Sequence, residues 1–123
     1  MENIQKRHYA SIDPHRRKLT IKYKNGIVAV SEKALLLKEV GKSVYDPVFY
    51  FPKEDIKVDL IKENGRSSFC PIKGTATYWT LKDHPMEDYF AWSYEKAHPK
   101  SKKIEGYIAF NLKDLEMISE PLQ

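Results

Sequence analysis

Cysteine is almost missing from this chain: Cys70 is the only one in 123 residues. A single thiol excludes an internal disulfide, and with it a disulfide-stapled secreted fold. It also argues against structural zinc, since no Cys/His cluster has zinc-site spacing, so no metal site is expected. Long apolar runs are absent too. No stretch approaches the roughly 18 residues that a membrane helix needs. The segment Met1-Glu2-Asn3-Ile4-Gln5-Lys6-Arg7-His8 has no apolar core of the kind a signal peptide carries, so the expected location is cytoplasmic. Internal repeats, low-complexity tracts and an interior linker are lacking as well, which leaves one domain as the expectation. A strong charge of one sign is likewise absent: the net charge is +4 and the pI about 9.0. That mild excess leans towards anionic partners but does not by itself imply nucleic acid.

What is present is aromatic. Eight Tyr, five Phe and two Trp make the chain rich in side chains that fit a half-buried pleated surface. Lys18 to Lys24 alternates polar and apolar, placing Leu19, Ile21 and Tyr23 on one face. Asn25-Gly26 then leads into Ile27-Val28-Ala29-Val30, which predicts a type I′ hairpin. Further strands are expected at Ala34–Val40, where a helical turn is the rival, at 44–51 with a break at Pro47, at Ser67–Cys70, at Thr75–Leu81, at Tyr89–Tyr94, at Gly106–Asn111 and at Leu112–Ile118. Turns are expected at Asn64-Gly65 and Asp83-His84-Pro85. Lys96 to Glu105 reads as a loop or short helix. Residues 1–17 read as a polar basic arm outside the core, and 18–123 as a single β-rich domain. The predicted class is all-β with minor α: coiled antiparallel sheets, tent-like or barrel-like.

The segment most suggestive of a site is Cys70-Pro71-Ile72-Lys73-Gly74. Pro fixes one φ, and Gly permits a positive φ and close approach of a ligand. Lys73 would then offer an ammonium from a rigid turn beside backbone N–H groups, a phosphate or anion cradle. The bland reading is a tight turn with a solvated lysine. Cys70 could act as a nucleophile if a cation lowered its pKa, but a lone cysteine is more often a small buried hydrophobe. Tyr50, Tyr78, Trp92 and Tyr94 could stack on a base or sugar, or could simply form the core. Asp55 and Glu39 are candidate acid/base carboxylates, Asp55 alternatively a cap on the turn after Pro52. Basic segments at Lys6-Arg7-His8, His15-Arg16-Arg17-Lys18 and His98-Pro99-Lys100-Ser101-Lys102-Lys103 read as solvated loops. Nucleic acid is a disfavoured partner, because no recognition motif accompanies them.

Five motifs follow one another in order. They are Tyr50-Phe51-Pro52-x-x-Asp55, Cys70-Pro71-x-Lys73-Gly74-x-Ala76-x-Tyr78, Ala91-Trp92-x-Tyr94, Pro99, and Gly106-Tyr107-x-Ala109-Phe110. In these the chain resembles, over roughly Lys18 to Pro121, the bacterial domain-of-unknown-function family 427, also catalogued as nucleotidyltransferase-like. The resemblance implies a small coiled β-sheet domain and no established activity. Polymerase-type nucleotidyl transfer uses carboxylates converging on Mg²⁺ and a Gly-Ser loop. No Gly-Ser followed by an Asp-x-Asp or Asp-x-Glu pair occurs here. Asp55 and Asp59 share a face only on a helix, and Asp83, Glu87 and Asp88 cluster near the expected turn. The functional expectation is therefore a module binding an anionic small molecule, with a nucleotide as first candidate. The cofactor is unknown. An enzyme using Cys70, or Asp55 with Glu39, is the alternative, and a protein or nucleic-acid interaction domain is the third reading.

Overall fold

The structure, a computed structural model, describes residues 8–82 and 89–123. These form ten strands: β1 (Tyr9–Pro14), β2 (Arg17–Tyr23), β3 (Gly26–Ser31), β4 (Leu35–Val40), β5 (Val48–Tyr50), β6 (Leu60–Cys70), β7 (Gly74–Leu81), β8 (Ala91–Ser93), β9 (Ile108–Phe110) and β10 (Glu116–Pro121). The helical pieces among the described residues are short 3-10 segments at Lys53–Asp55, Pro99–Ile104 and Leu112–Asp114. The fold is all-β, as the composition predicts.

All the strand pairing is antiparallel and falls into three sheets, ordered β1-β4-β5, β10-β2-β3 and β6-β7-β8-β9. One step past β5, Phe51 donates to the Ile108 carbonyl at 2.7 Å and accepts from its N–H at 2.8 Å. This bridge joins the first and third sheets edge to edge. The result is one curled ribbon in the order β1-β4-β5-β9-β8-β7-β6, with the β10-β2-β3 sheet covering one face. The ribbon does not close into a barrel.

Both faces of the ribbon carry a core. Leu19, Ile21 and Val28 from the covering sheet pack with Phe51, Phe90, Ile108 and Phe110 on one side. Ile12, Leu37, Tyr50, Ala76, Tyr94, Ile104 and Ala109 fill the other. Side chains alternate across a strand, so neighbours in sequence go to opposite cores: Tyr50 to one and Phe51 to the other, Ala109 to one and Phe110 to the other. A strand buried on both faces needs a continuous apolar run, which is what Val48–Phe51 and Ile108–Phe110 supply.

Several local expectations change. Residues 9–14 are not an arm outside the core: they are β1, paired in register from Tyr9↔Val40 to Pro14↔Leu35, with Ile12 buried. The first hairpin has its type I′ turn one residue earlier than the Asn-Gly pair suggests. Tyr23 pairs with Gly26, and Lys24 and Asn25 take the positive φ values of 49° and 68°. Asn64-Gly65 is not a turn between strands. It lies inside β6, where the register jumps between Lys62 and Ser67 as a bulge with Gly65 at φ +82°. Leu112–Asp114 is a 3-10 turn, and the last strand starts only at Glu116. The expected turn at Asp83-His84-Pro85 and the carboxylates Asp83, Glu87 and Asp88 lie outside the described residues. No helix among the described residues is long and apolar enough to cross a membrane.

Candidate functional site

The Cys-Pro-x-Lys-Gly segment is the hairpin turn between β6 and β7. Cys70 pairs with Gly74, and the Lys73 N–H donates to the Cys70 carbonyl at 3.3 Å. The turn is held from below by the segment around His98. The His98 N–H donates to the Lys73 carbonyl at 3.0 Å, and the Ser101 hydroxyl, fully buried, donates to the Ile72 carbonyl at 2.6 Å. Gly74 is obligatory here for two reasons. Its φ is +109°, and a Cβ would sit 3.1 Å from the Lys96 carbonyl oxygen. The close approach that the glycine permits is thus made by the chain's own backbone. Gly74→Ala is expected to cost about 1–3 kcal/mol, read from urea denaturation, with the melt staying cooperative.

Lys73 does not extend into solvent. Its ammonium donates to Glu39 Oε1 at 2.8 Å, and the two side chains are 13% and 11% exposed. It also lies 5.6 Å from the centre of the Tyr94 ring. The other Glu39 oxygen, Oε2, takes His8 Nε2 at 2.5 Å, and the Cys70 thiol stands 4.0 Å from it. Glu39 is therefore a hub. It is on β4, on the same face as Leu35 and Leu37, and that face is packed against the second core. The curl of the ribbon brings β4, near one end, against the β6–β7 turn at the other.

Burial by itself would raise the Glu39 pKa, but hydrogen bonds from Lys73 and His8 outweigh it and hold the carboxyl below its ordinary value. Burial by itself would lower the Lys73 pKa; charge interaction with Tyr50 and the bond to Glu39 outweigh it and hold the ammonium above its ordinary value. At neutral pH the pair is ionised on both sides.

The remaining expected residues separate into two groups. Tyr50 is fully buried, accepts from the Trp92 indole N–H at 3.4 Å, and has its pKa driven far up by burial. Tyr94 is also buried and far up in pKa, first from burial and then from the nearby Cys70, Tyr78 and Glu39. Their rings are core, but the Tyr94 ring borders the charged group directly. Tyr78 and Trp92 are half-buried, and the Tyr78 hydroxyl exchanges a hydrogen bond of 2.8 Å with Ser68. Asp55 sits elsewhere. It accepts from the Ser31 hydroxyl at 2.6 Å instead of capping a helix, and it shares no partner with Glu39 among the described contacts. The chain is extended at Ile56, so Asp55 and Asp59 have no helix to align them.

The sequence leaves two residues of this region unplaced. His8 precedes β1 and reaches Glu39 across the β1–β4 pair. Arg66, in the β6 bulge, places its guanidinium 5.8 and 5.5 Å from the ring centres of Tyr78 and Tyr89 and pairs with Glu63 at 3.0 Å. The alternation Leu35-x-Leu37-x-Glu39 is the signal that points Glu39 to the core face. Nothing local signals His8. Two cavities lie elsewhere. One of about 460 Å³ is lined by Tyr23, Val28 and Leu81 together with Lys24, Lys57, Asp59 and Lys82, and one of about 270 Å³ by Phe49, Phe51, Trp92 and Phe110. Neither contains Glu39, Cys70 or Lys73.

A curled antiparallel ribbon carrying an ion pair, a thiol and an imidazole around one carboxylate defines a small β domain with a polar centre built on Glu39. The chain belongs to the family described as Domain of unknown function (DUF427), whose model, named NTP_transf_9, matches residues 11–120. No curated protein matches it significantly.

Proposed function

We propose that this domain binds an anionic small molecule, with a nucleotide as first candidate, at the surface formed by Lys73, Arg66, Tyr78 and the Glu39 hub. The observation that carries this reading is the Lys73 ammonium, fixed by Glu39 at 2.8 Å and by the Tyr94 ring on a turn pinned from below. An ammonium has three donors, and Glu39 engages one. A preorganised cation needs little ordering when an anion arrives. Arg66 over the Tyr78 and Tyr89 rings adds a second cation beside aromatic faces, the combination that suits a phosphate and a base together.

A second reading is an enzyme with Cys70 as nucleophile. One observation favours it: an imidazole, His8, and a carboxylate, Glu39, stand within 4.8 Å of the thiol, the kinds of group that accompany a nucleophilic cysteine. One experiment separates the readings. The wild type, Lys73→Met and Cys70→Ser are melted with and without nucleotides, sugar phosphates and carboxylates. A ligand at 100 times its dissociation constant stabilises by about 2.7 kcal/mol, a shift of several degrees at this size. The binding reading expects a shift in wild type and in Cys70→Ser, and its loss in Lys73→Met. Turnover of the same compound, abolished in Cys70→Ser, would establish the enzyme instead. A cooperative melt with no shift for any compound removes the anion site.

A further inference from the structure

Three side chains of different chemistry converge on one point from three distant parts of the chain. His8 Nε2, Glu39 Oε2 and Cys70 Sγ all lie within 4.8 Å of one another. The imidazole enters from the residue before β1, the carboxylate from β4, and the thiol from the last residue of β6. The only cysteine of the chain is placed here, partly exposed, beside a fixed carboxylate.

We propose that His8, Glu39 and Cys70 form a binding site for a divalent transition-metal ion of the zinc class. Thiolate, imidazole and carboxylate together are a mixed S/N/O donor set. It suits Zn²⁺ or Co²⁺, and not Mg²⁺ or Ca²⁺, which take oxygen ligands. Three protein ligands with a fourth position left for water or a bound molecule is the arrangement of catalytic sites; structural sites are closed by four.

The geometry is close to what the ion needs. Around a tetrahedral zinc with bonds of about 2.0–2.3 Å, ligand atoms stand roughly 3.3–3.6 Å apart. The thiol–carboxylate distance of 4.0 Å closes by about half an ångström, and the 2.5 Å imidazole–carboxylate contact opens by about one. His8 is the side chain with freedom to make that movement, being 28% exposed and outside the strand.

Lys73 completes the design. It donates to Oε1 of Glu39 and leaves Oε2 facing the imidazole and the thiol. Ligating carboxylates are ordinarily oriented by such an outer hydrogen bond. The charge also balances: a thiolate and a carboxylate against a dication and one ammonium leave a net charge of one, suited to a bound anion. On binding, the thiol gives its proton to solvent and a sulfur–metal bond replaces the S–H bond; no electron changes hands.

The site shares Glu39 with the small-molecule surface proposed above but does not rest on it, and its readout is separate. The full chain, without a polyhistidine tag, is stripped with chelator, dialysed and titrated with Co²⁺. The expected spectrum has intense tetrahedral d–d bands and a thiolate-to-cobalt charge-transfer band, both bleached by Zn²⁺. Cys70→Ser loses the charge-transfer band. His8→Gln lowers cobalt affinity at least tenfold while melting like wild type. Lys73→Met keeps the charge-transfer band and binds about 10–100-fold more weakly, as loss of an orienting partner predicts. A pale octahedral spectrum without charge transfer in wild type overturns the proposal, and so does unchanged cobalt affinity in folded His8→Gln. Because His8 lies outside the strands, that variant remains informative even where Glu39→Gln fails to fold.

Discussion

Phe51→Ala is expected to remove about 3–5 kcal/mol of stability, a large share of the roughly 5–15 kcal/mol that an ordinary domain has. Phe51 is 2% exposed and sits at the seam where two sheets become one ribbon. Its ring packs edge-on against Phe110 with centroids 5.5 Å apart, and Phe110 in turn meets Phe90 at 5.9 Å. Truncation opens a cavity between the ribbon and the covering sheet, in a region that already borders a cleft. The backbone bonds to Ile108 stay available but lose the packing that aligns them. Urea denaturation checks this: the midpoint should fall sharply while the slope keeps its value. Phe69→Ala, on β6 and 73% exposed, is the matched control and should change stability by no more than about 0.5 kcal/mol. Equal losses at the two positions would mean that the seam is not where the fold is held.

Lys73→Met should cost about 2–4 kcal/mol, a little below the loss for a fully buried pair because both partners keep some exposure. The methionine replaces the aliphatic stem, so the loss reports the charge. What remains is a largely buried Glu39 without its ammonium partner. Adding Glu39→Gln should recover part of the loss, since removing both charges is milder than stranding one. The double-mutant cycle measures the coupling directly. If the single and double variants lose the same amount, the pair contributes packing and no charge interaction.

The same pair shapes the pH dependence. Glu39 is held below its ordinary 4.5, so its contribution is intact above that pH and disappears as pH falls through the lower folded value. Lys73 is held above its ordinary 10.5, so its contribution is intact below that pH and is lost as pH rises through the higher folded value. Tyr50 and Tyr94, both pushed up by burial, add to the alkaline loss above their ordinary 10.0, where the unfolded phenols ionise and the buried ones resist. Wild type should show a broad plateau with an acid and an alkaline limb, and Lys73→Met should flatten the acid limb.

The family and the β class are legible in the chain itself, because they rest on short-range facts. Period-two alternation from Leu19 to Tyr23 gives a strand, and apolar runs at Val48–Phe51 and Ile108–Phe110 give strands buried on both faces. The Cys-Pro-x-Lys-Gly turn is also local: a proline, a positive φ at Gly74, and a lysine between them. β1 is not legible, since only Ala10 and Ile12 of its six residues face the core and the others are exposed. Nor is the bulge at Asn64-Gly65, because the same dipeptide serves a turn or a bulge according to which strand comes alongside.

The polar centre around Glu39 belongs to the tertiary structure. Glu39 and Lys73 are 34 residues apart, and His8 and Glu39 31 apart. No local pattern records that they meet. They meet because antiparallel strands twist, a twisted ribbon cored on both faces curls, and the curl carries β4 against the β6–β7 turn. The chain by itself determined which residues could hold charge, thiol and ring. Only the curl decided that Lys73 faces a carboxylate, and that Cys70, without a second cysteine anywhere in the sequence, has an imidazole and a carboxylate for company.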